Sequence, residues 1–220
     1  TEITRRRLTQ KADLVLAGNT PVKAGADVWI APSVDSGIRS LGNESGLHRN
    51  SLSSVSNTKG GTLSMWIKLA ENSTGVAHPM DMRGASGAGP TNPAFQMNIS
   101  QTSKKLFLDI TTDGAFGIAF QTTNAVAWLD NWVHVMMSWN TATDTYHMYI
   151  DGVSNITVTQ AGTTDALIEW AQMDNVNIHS GSGGGSGPGL FNGCTSEIYL
   201  NTDEYIDLSV SANRDLFYNS

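Results

Sequence analysis

The clearest signal along the chain is an apolar period of two. Phe95, Met97 and Ile99 alternate with Gln96, Asn98 and Ser100; Leu106, Leu108 and Ile110 alternate with Phe107, Asp109 and Thr111; Phe116, Ile118 and Phe120 repeat the pattern. Successive side chains on a strand point to opposite faces, so each run predicts a strand with one apolar face turned to a core. Leu63, Met65, Ile67 and Leu69 form another such stripe, with Trp66 on the opposite face. The longest readable unit runs from Trp132 to Val158. Val133, Val135, Met137 and Trp139 line one face of a first strand, a polar turn follows from Asn140 to Thr145, and Tyr146 to Ile150 makes a second strand that ends in Asp151-Gly152. Turn residues of this kind bond their own backbone, and Asp-Gly is a strong hairpin signal. Asn155 to Thr159 is expected to add a third strand to this antiparallel meander. A helix is expected only near the end, with Ser209 capping Val210 to Phe217.

Two segments break the pattern. His179 to Gly193 is glycine-rich, but it has no following helix and no Lys-Ser/Thr pair, which argues against a phosphate loop and for a connection. Residues 1–57 show weaker periodicity, with short apolar patches at Leu14–Leu16 and Val28–Ile30. They are expected to form an extended N-terminal attachment arm that adds about one strand to a sandwich domain spanning residues 58–220.

Length fits one such domain. A chain of 220 residues buries roughly 70% of its unfolded surface and needs no disulfide. Its single cysteine, Cys194, rules out an internal one. Residues 1–11 carry charge and no apolar run, which does not read as a secretory signal, so synthesis in the cytoplasm is the expectation. No apolar stretch approaches the ~20 residues of a membrane helix. Charge is uneven. Residues 1–57 hold seven Lys/Arg against five Asp/Glu, a net of +2, leaving −9 for the rest of a chain whose total is −7. Between Lys105 and Arg214 there is no Lys or Arg and there are twelve Asp/Glu. Such a surface repels nucleic acid.

Several strands also carry a family likeness. Thr62-Leu-Ser-Met-Trp-Ile67, Trp132-Val-His-Val-Met-Met-Ser-Trp139, Tyr146-His-Met-Tyr-Ile-Asp-Gly152, and Leu190-Phe-Asn-Gly193 followed by Ser196-Glu-Ile-Tyr199 resemble, in order and spacing, strands of concanavalin A-like and laminin G-like domains. The resemblance covers about residues 60–217 and implies an all-β fold, a two-sheet antiparallel jelly-roll sandwich. Tyr205-Ile-Asp-Leu-Ser209 leading to Asn213-Arg-Asp-Leu-Phe217 is similar to the tails of lectin-like domains in phage structural proteins, although Asp215-Leu216 departs from the basic residue usual there. That likeness implies a non-enzymatic virion protein, capsid-decorating or tail-associated, made in the host cytoplasm and working as a homo-oligomer. The alternative is a glycan-binding lectin module that adheres to host polysaccharide.

Candidate chemistry is sparse. Glycosidases need paired carboxylates, and the Glu-x-Asp-x-x-Glu run of those on this fold is missing; Asp203-Glu204 and Asp207 come nearest. Cys194 reads as a small buried thiol, and His134 with His147 as a packed pair on adjacent strands. No cofactor is expected, apart from calcium, which the resemblance brings in; Asp113, Asp130, Asp165 and Asp174 are its candidate ligands, in no recognisable spacing. For a sugar, Trp170 with Asp174 and Asn175 is the candidate platform, set against the reading that Trp170 packs beneath a loop. For a protein partner such as a capsid shell or tail, the candidates lie in the arm: Arg5, Arg6, Arg7, Leu14, Leu16, Trp29 and Ile30. The alternative is that the arm folds back onto its own sandwich.

Overall fold

The computed structural model describes residues 38–41, 47–50, 55–70, 76–84, 94–112, 115–162, 164–173, 175–178 and 191–218. Their strands form two antiparallel sheets. One has six strands in the spatial order β1 (Ile38–Leu41), β13 (Asn192–Asn201), β3 (Gly60–Leu69), β8 (Val133–Asn140), β9 (Thr145–Ile150) and β10 (Val153–Ser154). The other has seven: β11 (Thr157–Gln160), β7 (Ala115–Gln121), β6 (Leu106–Thr112), β5 (Ala94–Ser100), β4 (Val76–Arg83), β12 (Asn175–Ile178) and β2 (Leu47–Asn50). The expected jelly-roll sandwich is the observed architecture.

The core lies between the sheets and is made by the apolar half of each alternation. Leu63, Met65, Ile67, Val135, Met137 and Trp139 face Met80, Met82, Phe95, Met97, Leu108 and Ile110, all fully buried. Phe95 on β5 meets Trp139 on β8 at 5.6 Å between ring centroids, and Trp170 completes the cluster at 5.6 Å from Phe95 and 6.2 Å from Trp139. Aromatic contacts of this tilted kind add to the area they bury. The Trp139 indole lies over Gly61, its register partner on β3; a Cβ there would come within 2.5 Å of the ring, so only glycine lets the ring settle. Asp151 and Gly152 have φ of 49° and 76°, the left-handed pair of a type I′ hairpin turn, as the Asp-Gly signal predicts.

Three expectations are corrected. First, the meander stops after two residues of its third strand. β10 pairs with β9, but β11 pairs with β7 in the other sheet, so the chain switches layers near Asn155-Ile156. Second, the boundary at 57/58 falls too late. β1 pairs with β13 and β2 with β12, so the segment assigned to the arm supplies one strand to each sheet. Third, the helix near the end is a single turn, α1 (Ser211–Arg214), with no side-chain cap; Ser209 gives both its backbone N–H and its hydroxyl to Asp207 Oδ1, at 2.9 and 2.6 Å. β4 shows no clear alternation in the sequence, because Pro79 sits in it. The register shift between Ala77 and Met80 takes up that proline, which a regular central strand does not tolerate.

Candidate functional site

A strand alternation leaves two outer faces, and they differ. On the six-stranded sheet the outer row Ser64, Trp66, His134, Met136, Ser138 and Tyr149 is buried too. It is covered by the C-terminal segment. Ile206 and Leu208 pack on Met136 and Tyr149 as a second small core, with Phe217 and Tyr218 against it. Tyr218 stacks on His134 at 5.2 Å, and Phe217 meets Tyr199 at 5.1 Å. Arg214 lies 4.6 Å over the Tyr149 ring and donates to the Leu208 and Ser209 carbonyls. His147 bonds the Tyr205 hydroxyl at 3.0 Å and lies 3.3 Å from Asp207. The tail pattern from Tyr205 to Phe217 is therefore a clasp on its own sheet.

The outer face of the seven-stranded sheet has no such cover among the described residues. Its register brings Asp81, Gln96, Asp109 and Ala119 into one row across β4, β5, β6 and β7, and Asn98, Phe107 and Gln121 into the next. Gln96, Asn98, Phe107, Asp109, Gln121, His78 and Arg83 are all half-buried. Arg83 reaches back two residues along its own face, its Nε lying 2.8 and 2.7 Å from the two oxygens of Asp81, a fully buried carboxylate. Asn98 donates its side-chain amide to Asp109 Oδ2 at 3.3 Å. Burial holds both carboxyls above the usual range, opposed at Asp81 by Arg83 and at Asp109 by Asn98. Burial also pushes His78 down, with Asp81 pulling it up. From Arg83 to Phe107 the patch crosses two strand spacings, roughly 10 Å, and about four residues along the strands, roughly 13 Å. It offers hydrogen-bonding groups of both kinds around one aromatic ring, the chemistry that holds a hydroxyl-rich ligand.

The residues singled out from sequence fall differently. Trp170 is fully buried in the aromatic cluster, and its Nε1 donates to Thr58 Oγ1 at 2.9 Å, so neither ring face is free for a sugar. That platform is withdrawn in favour of the packed reading. Asp174 lies outside the described residues. Asn175 opens β12, its backbone in register with Arg83, at the edge of the polar face. Arg5, Arg6, Arg7, Leu14, Leu16, Trp29 and Ile30 lie outside the described residues. Of the calcium candidates, Asp113 and Asp174 are also outside them, Asp130 is exposed, and Asp165 pairs with Lys59 at 2.7 Å. Among the described residues no three His, Cys, Asp or Glu converge on one point. His134 and His147 are not partners: His134 Nε2 bonds Ser64 Oγ at 2.9 Å, and His147 sits opposite Ser138. Cys194 is half-buried rather than buried. The polar face itself was in the sequence as the outward half of the 95–111 alternation. Its signal was chemical: Gln96, Asn98 and Asp109 stand where a plain solvent face carries Ser, Thr or Lys.

A family model described as the concanavalin A-like lectin/glucanases superfamily matches residues 41–200. The chain belongs to that superfamily. Among solved structures it is similar to the CBM40 module of the Ruminococcus gnavus IT-sialidase bound to α2,3-sialyllactose, at 16% identity and a TM-score of 0.59, covering 83% of this chain and 96% of that one. It is also similar to a heptameric SAP-like pentraxin from Limulus polyphemus, at 14% identity and a TM-score of 0.54, covering 80% and 78%. A Trypanosoma rangeli sialidase matches at 15% identity and a TM-score of 0.54, over 86% of this chain but 28% of the enzyme. At these identities the likeness shows the fold alone. No curated protein sequence matches the chain.

Proposed function

We propose that this chain is a non-catalytic glycan-binding module that takes an oligosaccharide on the outer face of its seven-stranded sheet. The observation that carries the reading is Phe107, half-buried and flanked in register by Asn98 and Gln121, with Asp109 and Gln96 in the neighbouring row and Arg83 at the far corner of the patch. A pyranose stacks on the ring, and the amides and carboxylates take its hydroxyls. The Arg83 guanidinium suits a sugar carboxylate, which it meets as a two-pronged donor. In line with this, one similar module was solved with sialyllactose. Hydrolysis has no support in the geometry. Asp81 is fully buried against Arg83, and Asp109 accepts from Asn98, so among the described residues of this face no exposed carboxylate pair flanks a bond. The test is a glycan array containing neutral and carboxylated sugars, followed by titration calorimetry and a turnover assay on each hit. Binding without turnover is expected. Turnover that vanishes on Asp109→Asn would overturn the non-catalytic reading.

We also propose where such a module works. The likeness of the tail to lectin-like domains of phage structural proteins supports display on a virion, and the basic N-terminal segment supports attachment there to an acidic shell or tail. Because β1 and β2 belong to the sandwich, the truncation that tests this must stop before Ile38. Loss of particle binding on removing residues 1–34, with the fold intact, is the expected result. Unchanged particle binding would count against it.

A further inference from the structure

The covered face of the six-stranded sheet is laid out like the open face of the other. On the open face Phe107 is flanked in register by Asn98 and Gln121. On the covered face Trp66 is flanked in register by Ser196 on β13 and His134 on β8, with Ser64 and Ser138 in the rows beyond. A face built only as a second core calls for apolar side chains there, as at Met136. Instead, three buried polar atoms, His134 Nδ1, Ser138 Oγ and Ser196 Oγ, have no hydrogen-bond partner among the described residues. The three residues are 1%, 0% and 3% exposed. Each such orphan is costly, and native structures keep few of them. The clasp does not serve them. Its hydrogen bonds to the sheet run to Thr62, His147 and Tyr149, and Asn213 and Arg214 also bond within the clasp itself. What the clasp lays there is a flat ring: Tyr218 lies over His134 at 5.2 Å and 14°, and reaches Trp66 at 6.0 Å. Gly152 leaves the room for it, since a Cβ there would come within 2.8 Å of that ring.

We propose that this is a second glycan-binding face, closed in the intact chain because the Tyr218 ring occupies the place of a sugar ring on His134 and Trp66. The orphaned atoms select a sugar over a peptide. The clasp is itself a peptide segment, and it covers the face while leaving all three atoms without partners. A pyranose carries hydroxyls around its rim that donate and accept, so a ring stacked on the Trp66 indole reaches groups on both flanking strands. The sugar is a neutral one. Ser64, Trp66, His134, Met136, Ser138 and Tyr149 include no carboxylate, lysine or arginine, whereas the open face carries Asp81, Arg83 and Asp109. Closure lowers the apparent affinity of the face in proportion to the fraction of molecules whose clasp stands open. The second face is independent of the open-face reading and is tested with Phe107 removed.

The test compares Phe107→Ala with the double variant Phe107→Ala/Tyr218→Ala on an array of neutral glycans, with calorimetry on each hit. Wild-type binding reads out the open face, so the two readings fail separately. The double variant should bind neutral sugars about tenfold or more tightly than Phe107→Ala alone, with amide shifts at Ser64–Trp66 and His134–Ser138. Adding Ser196→Ala should weaken that binding about fivefold, the worth of one hydrogen bond. Tyr218→Phe, which keeps the ring, should leave the face closed. Thermal unfolding checks the fold of each variant. If Tyr218→Ala does not fold, Tyr218→Leu, which fills the space without a flat ring, takes its place. A folded double variant that binds no neutral sugar, or one whose shifts fall on β5 to β7, would overturn the proposal.

Discussion

The two outer faces of the sandwich come from the same kind of alternating strand and end in opposite states. On β8 every residue from Val133 to Trp139 is buried, although the strand has an inside and an outside. On β6 burial alternates from Leu106 to Ile110. The difference is supplied from far along the chain. Residues 205–218 lay Ile206, Leu208, Phe217 and Tyr218 over the six-stranded sheet, and the described residues supply no counterpart for the seven-stranded one. One face has become a second core and the other has kept a polar, half-exposed surface. The Asn98–Asp109 hydrogen bond and the half-buried Phe107 ring lie on that open side.

This contrast predicts where substitutions act on stability and where on binding. The largest loss should come from the shared core: Trp139→Ala should cost about 3–5 kcal/mol in denaturant unfolding. Next is the clasp, where Leu208→Ala, at a fully buried site, should cost about 2–5 kcal/mol and expose apolar surface to a hydrophobic dye. A cost below ~1 kcal/mol there would mean the C-terminal segment merely rests on the sheet.

Titration sharpens the same comparison, because the most shifted groups lie on the covered side. Burial pushes His134 down to about 3 from 6.5, so the unfolded chain binds the extra proton as pH falls below 6.5, and stability is lost from there toward 3. Glu197, on the bulge of β13 beside Trp66, moves the other way: burial pushes it up to about 7 from 4.5. The folded chain then binds more protons between those values, so this contribution is present below 4.5 and lost as pH rises through 7. Glu197→Gln should therefore gain on wild type in thermal stability as pH rises across that window. A constant difference would place the Glu197 carboxyl in water.

Smaller effects belong to half-buried and exposed positions. Phe107→Ala should change stability by about 1 kcal/mol or less while abolishing sugar binding. Removing the exposed Lys59–Asp165 pair should change stability by no more than ~0.5 kcal/mol in the same unfolding assay.

Much of the fold was legible because period-two patterning is a local consequence of strand geometry. The faces of β3, β5, β6, β8 and β9 could be assigned from it. What stayed hidden depended on distant partners. Residues 38–41 and 47–50 are too short to show a period, and only their ladders with β13 and β12 make them strands. Pro79 masked β4, and with it Asp81 and Arg83, whose meeting requires that strand. Trp170 drew attention through its polar sequence neighbours, yet its spatial neighbours are Phe95 and Trp139, from other strands. Phe107 was read only as the outward partner in an alternation. Nothing local distinguishes an aromatic that will be covered, as Tyr149 is, from one left open.

The most direct measurement is an amide chemical-shift map of the protein titrated with its best array glycan. Shifts should gather on Gln96–Asn98, Phe107–Asp109 and Ala119–Gln121, with β8, β9 and residues 205–218 unmoved. Shifts confined to the clasp and the six-stranded sheet, with β5 and β6 silent, would contradict the assignment of the open face as the binding face.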